Sequence, residues 1–353
     1  MRVSVSGPPP FHPSGGRDAR VRLRRMPISR WFAPYLLATL LAAPLAAQGV
    51  CGDSTRLVIR PASPRQGTLF VVRVEGAPAD AELSGQVAGE PLHFSPDSSG
   101  TPASFAPAPI DAGRSLGIVV ACTRGAATDT IRSAVALTAG QYPLERLSVA
   151  PRFSEPPDSA LAERMRREGR RAAEVSAIAH DTPRLWSLPF AAPRPSRITS
   201  RFGRGRQFNG TVTSRHMGTD YAGVSGAPIR ATNRGVVRLV DSFFLGGNVV
   251  YVDHGQGLVT AYLHMSEHAV AAGDTVERGQ LLGRVGATGR VTGPHLHFIV
   301  RYGSVSVDPQ RFLALTSART AKSTGAAGSR TSGPDGARKS PGAKGSARGA
   351  RRP

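Results

Sequence analysis

NVVYVDHG at 248–255 and LVTAYLHM at 258–265 are two runs rich in β-branched and aromatic residues, divided by Gln256 and Gly257. Such residues suit a pleated, half-buried surface, and glycine-bounded runs of this length read as strands. The same pattern repeats outward from the pair: GVVRLVDSF at 235–243, QLLGRVG at 280–286 and HLHFIVRYG at 295–303, with ITSRFG at 198–203 opening the segment. Residues 197–315 therefore read as an all-β domain. The composition agrees, because 40 Gly and 29 Pro with only 6% aromatics favour turns and short strands over long helices.

A second set of short strands lies upstream. TRLVIRP at 55–61, GTLFVVRVEG at 67–76, SLGIVVACT at 115–123 and DTIRSAVAL at 129–137 are separated by Gly, Pro, Ser and Asp. Their spacing predicts a small Ig-like β-sandwich over 48–140, with nothing chemically active in it. His93 reads there as a structural or surface residue. Residues 141–196 form a Pro-rich connector that leads into ALAERMRREGRRAAEVSAIAH, residues 160–180, a basic helix capped by Asp158 or Ser159.

The ends of the chain differ from its middle. WFAPYLLATLLAAPLAA at 31–47, with Arg24, Arg25 and Arg30 ahead of it, has the apolar length and small-residue finish of a cleavable export signal. Residues 1–47 are assigned to that signal, with Met26 the expected start of translation. Val50 before Cys51 argues against lipid attachment, and the chain's two cysteines, Cys51 and Cys122, most simply pair in an oxidising compartment. Of the net charge of +21, residues 1–47 carry +6 and residues 317–353 carry +8, leaving +7 for everything between. From residue 316 the Gly/Ala/Ser/Lys/Arg-rich sequence cannot bury a core and reads as a disordered basic tail. Its charge suits an anionic wall polymer, although nucleic acid would attract it equally; no nucleic-acid partner is expected.

Five residues inside the second β-domain carry the chemistry. RHMGTDYAG at 215–223 holds His216 and Asp220, TAYLHMS holds the isolated His264, and GPHLHF holds His295 and His297. Imidazole and carboxylate are the usual zinc ligands outside cysteine-rich sites, and a catalytic zinc takes three protein ligands. Gly218 and Thr219 make a helix through His216 and Asp220 improbable, so a loop or bent strand must deliver both to one ion. On a strand His295 and His297 face the same side while Leu296 points into apolar packing. One of that pair can ligate while the other stands within reach of water or substrate. His254 and His268, each alone, read as turn or surface residues, and Asn209 and Tyr262 as further candidates near the site.

These motifs, together with GVVRLV, GDTVERGQLLGRVGATGRVTGPHLHF and the VDP at 307–309, resemble the lysostaphin/LytM-type zinc metalloendopeptidases, the bacterial enzymes that cut peptidoglycan cross-bridges. The resemblance covers roughly a third of the chain. It implies a folded-over β-sandwich, a Zn2+ cofactor held by His216, Asp220 and His297, and catalytic roles for His264 and His295. GDTVERGQLLGRV also resembles half of a lipoyl or biotinyl carrier domain, but residues 197–313 contain no lysine to modify. The expectation is thus an exported zinc endopeptidase acting on peptidoglycan in the periplasm or outside the cell, without a stable membrane span after signal cleavage. Two rivals are a non-catalytic wall-binding activator of other hydrolases and a zinc peptidase acting on protein.

Overall fold

The computed structural model describes residues 50–317 apart from Leu188 and the side chain of Val212; the expected export signal, the expected Met26 start and the tail beyond residue 317 lie outside the described residues. The fold is mostly antiparallel β-sheet, as the sequence predicts. Around the NVVYVDHG and LVTAYLHM runs, strands Gly247–Gly255 and Leu258–His268 pair antiparallel and form the middle of a ten-stranded sheet. Its path runs Ile198–Ser200, Thr219–Ala222, His295–Tyr302, Leu258–His268, Gly247–Gly255, Gly235–Phe243 and Thr275–Val276. Pro228–Arg230 and Leu281–Val285 pair with each other, and the latter also bonds the end of Leu258–His268.

Alternation along the strands gives this sheet two faces with different fates. Leu296, Phe298, Val300 and Tyr302 point into a core shared with Ile229, Leu282 and Val285 from the folded-back strands. The opposite face carries Val259, Ala261, Leu263, Val249 and Tyr251. Helix Ser159–Asp181 covers that second face with Ala172, Val175 and Ala179. Its start is the expected one: the Asp158 carboxylate accepts from Leu161 N at 2.7 Å. The helix spans only part of the face, and the histidine cluster lies on the remainder.

The N-terminal strands form two four-stranded sheets, ordered Arg56–Arg60, Thr68–Glu75, Pro102–Ala108, Ser95–Pro96 and Glu90–Pro91, Glu82–Val87, Ser115–Arg124, Ala127–Ala136. Phe70, Val72 and Val74 of one meet Val87, Ile118 and Val120 of the other in a common core. Cys51 and Cys122 are joined as a disulfide. Leu69, Val71 and Phe105 belong instead to the core of the large sheet, so this sandwich is packed directly against the second β-domain. Glu90 ties the junction together, accepting from Ser304 N at 2.9 Å and meeting His180 Nε2 at 3.0 Å. His93 completes the link through His180 Nδ1 at 2.8 Å. Gly303 is required here: it has φ +54°, and a Cβ on it would fall 1.8 Å from Glu90 Oε2.

His254 is structural, as expected for a lone histidine, but it is wholly buried rather than at the surface. Its Nδ1–H donates to Arg234 O at 2.8 Å, and Nε2 accepts from Thr260 Oγ1 at 2.8 Å. Burial pushes its pKa down to about 4. Because the folded value lies below the ordinary imidazole value, the neutral form stabilises the fold above pH 6.5 and that stabilisation is lost as pH falls towards 4. Lowering the pH from 7 to 5 should cost on the order of 2 kcal/mol through this residue alone. Thermal unfolding at both pH values should show a smaller difference in His254→Gln than in the parent; an equal difference would remove His254 from the account.

Candidate metal centre

Pairing register builds the site. In the antiparallel pair Thr219–Ala222 and His295–Tyr302, Asp220 stands opposite His297. On its other side His297 stands opposite Leu263. Directly opposed residues share a face at about 5 Å, so Asp220 and His297 are brought together by backbone pairing alone. His216 precedes the first strand, and its N–H and C=O bond Arg204 O at 2.8 Å and Gly203 N at 2.7 Å. Gly218 makes the closure possible, since a Cβ there would fall 2.6 Å from Phe298 O and 2.7 Å from the His297 ring.

The resulting geometry is tight. His216 Nε2 lies 2.9 Å from Asp220 Oδ1, His297 Nδ1 lies 2.7 Å from the same oxygen, and the two nitrogens are 2.9 Å apart. All three residues are buried. His216 Nδ1–H donates to Arg201 O at 2.9 Å, which leaves the Nε2 lone pair facing inward. Three electron-pair donors therefore converge on one point, and a cation is what makes such a convergence favourable; their ligand atoms lie within 4.8 Å of one another, as a shared metal ion requires. Burial depresses His297 to about 4 against the opposing pull of Asp220.

His264 and His295 flank the triad. His264 has φ +64°, a conformation that a non-glycine residue adopts only under constraint from its surroundings. That kink breaks the alternation of its strand, so Leu263 and His264 line the same pocket as His297. His264 Nδ1–H donates to Thr288 O at 2.8 Å, and its ring centre is 5.8 Å from that of His297. Burial, then the neighbouring His297 and His295, hold its pKa well below the ordinary value, so it is neutral. His295 Nδ1–H donates to Gly293 O at 2.8 Å, and its Nε2 lies 3.7 Å from Asp220 Oδ1. Both rings are thus pinned through Nδ1, with Nε2 left for chemistry. The structure brings all five sequence-predicted residues into one place.

Two further residues belong to the site and were not singled out from sequence. Arg206 Nη2 donates to Asp220 Oδ2 at 2.5 Å, fixing the carboxylate with Oδ1 toward the histidines. Glu145, from the connector, accepts from Ser200 Oγ at 2.9 Å and pairs with Arg204 at 3.0 Å and Arg206 at 3.6 Å. It arrives because strand Leu144–Leu147 pairs parallel with Gly205–Phe208. Neither residue has a local motif that would have marked it. Asn209 and Tyr262 are not at the centre. Asn209 clamps the connector, donating to Val149 O at 2.9 Å, and Tyr262 is fully buried, accepting from Thr232 N at 3.1 Å.

Comparison with known proteins places this arrangement among the metallopeptidases. Residues 214–309 match the model of peptidase family M23, and this part of the chain is an M23 domain. The segment is 38% identical over 116 residues to the peptidoglycan DD-endopeptidase ShyC of Vibrio cholerae, covering 32% of this chain and 27% of that protein. It is 44% identical over 105 residues to ShyA of the same organism, covering 29% and 24%. The chain thus spans about a quarter of the length of these relatives. A solved Pseudomonas aeruginosa structure, provisionally assigned to peptidase M23, superposes with TM-score 0.56 at 25% identity, covering 71% of this chain and 95% of that one. That extent reaches well beyond the M23 segment.

Replacing Gly218 by Ala should push the two triad strands apart while leaving the rest of the sheet intact. Divalent-metal affinity of Gly218→Ala, followed by calorimetric titration, should fall at least about 10-fold, the scale of support lost around a metal site. Unchanged affinity would show that the close approach at Gly218 does not set the triad.

Proposed function

We propose that this chain is an exported, zinc-dependent endopeptidase that hydrolyses peptide bonds in the stem peptides or cross-links of peptidoglycan. The observation that carries this reading is the convergence of His216 Nε2, Asp220 Oδ1 and His297 Nδ1, with two further pinned histidines beside them. Two imidazoles and one carboxylate are a fitting ligand set for a catalytic zinc, which keeps a fourth position for substrate or water. Zinc held there by His216, Asp220 and His297 would supply Lewis acidity, polarising a scissile carbonyl and acidifying a water molecule.

The chain's own residues do the remainder. His264 and His295 offer Nε2 as the atom that takes a proton, or that steadies the charge developing on the carbonyl oxygen. Their Nδ1–H bonds to Thr288 O and Gly293 O fix both tautomer and ring direction. Arg206 and Ser200 act one step further out, orienting Asp220 and His216 respectively. Pockets of about 250 Å³ and about 160 Å³ reach the triad, giving a bound peptide room on either side.

Peptidoglycan as substrate is supported by the Vibrio relatives, and export by that substrate together with the disulfide. Among the described residues no helix is long and apolar enough to cross a membrane. All five site positions are intact, which favours an enzyme over a wall-binding activator with a vestigial site. The protein with residues 1–47 removed should hold about one zinc and release peptide-cleaved wall fragments. His297→Ala should lose both zinc and activity. His264→Ala should keep zinc and lose about 100-fold or more in rate, the usual share of a general acid–base group. Wall digestion persisting in His297→Ala would overturn the assignment.

A further inference from the structure

We propose that Arg290 recognises the substrate, its guanidinium binding a free carboxylate carried by the peptide beside the scissile amide. The inference rests on the peptidase reading of the site and adds a substrate feature to it. Arg290 lines both pockets that reach the triad, together with Arg206 alone among the arginines. It therefore stands where a peptide threaded across the centre must pass on either side.

Its surroundings leave the charge uncommitted. Three arginines line these pockets, Arg206, Arg215 and Arg290, and the carboxylates beside them are those of Glu145 and Asp220. Glu145 engages Arg204 at 3.0 Å and Arg206 at 3.6 Å, and Asp220 engages Arg206 at 2.5 Å. Among the described residues no carboxylate pairs with Arg290. Its contact is instead with the ring of buried Phe208, with Cζ 4.0 Å from the centroid. Stacking holds the planar group in one orientation while leaving its edge of N–H donors open, and that fork matches a carboxylate in a two-point contact. On a peptide substrate the anionic group of that shape is a carboxylate. Phe208 is in turn fixed by strand Gly205–Phe208, the same strand that delivers Arg206 to Asp220. The recognition group and the triad are thereby held in register by one element.

The test uses a matched pair of cross-linked wall peptides that differ only in a carboxylate or a carboxamide next to the scissile amide. For the parent, kcat/KM should favour the acid peptide by on the order of 10- to 100-fold, the yield of a charge-assisted contact. In Arg290→Gln that ratio should fall towards one, and Arg290→Lys should retain part of it. A structural role in shielding Phe208 would lower both peptides together and leave the ratio as in the parent, which would overturn the proposal. Equilibrium binding of the same pair to His264→Ala, with and without Arg290→Gln, separates this idea from the enzymatic reading. An Arg290-dependent preference for the acid peptide in binding, with no cleavage by the parent, would sustain the recognition and sink the hydrolase. Cleavage of both peptides by the parent with no acid preference would do the reverse.

Discussion

The pairing of Asp220 with His297 across two antiparallel strands is the constraint on which the rest of the site depends. Side chains alternate along a strand, so a slip of one residue would send His297 into the apolar core and Leu296 into the cleft. Leu296, Phe298, Val300 and Tyr302 forbid that slip, because each is fully or almost fully buried on the opposite face. The hydrophobic core therefore sets the register, and the register sets the position of the metal ligands. The energy that holds the triad together comes from groups on the far side of the sheet.

Around that pairing three features of the molecule are unusual. His264 adopts a left-handed conformation inside a strand, which turns its ring onto the face of His297. Gly218 admits no side chain. Asp220 is a buried carboxylate paired with Arg206 and facing two histidines, a costly arrangement for a fold that had no use for the charge. A left-handed histidine, a glycine that admits no side chain and a buried carboxylate collected at one point mark where function was accommodated.

The upstream half is built into the same body. The connector supplies Glu145 to the cleft, and the sandwich packs Val71 and Phe105 into the core of the large sheet. Glu90, His93 and His180 add a polar joint among sandwich, helix and sheet. The centre is thus buttressed by residues that lie 55 or more positions away in the chain.

The sequence by itself determined the all-β character, the two-faced alternation around Leu296 and the five chemical residues. Each of these is local: β-branched runs, glycine boundaries and short-range histidine spacing are carried within a few residues of one another. Which His264 rotates inward, what holds Asp220 and what lines the cleft were decided only by the tertiary structure. Arg206, Glu145 and Arg290 come from three separate segments, and no spacing rule links them. The sequence likewise placed Tyr262 and Asn209 near the chemistry because they are close to it along the chain. Strand direction and turn geometry carry their side chains into a buried hydroxyl network and onto the connector. Local pattern encodes which face a residue takes, whereas partners brought together by folding are set by long-range packing that no short window contains.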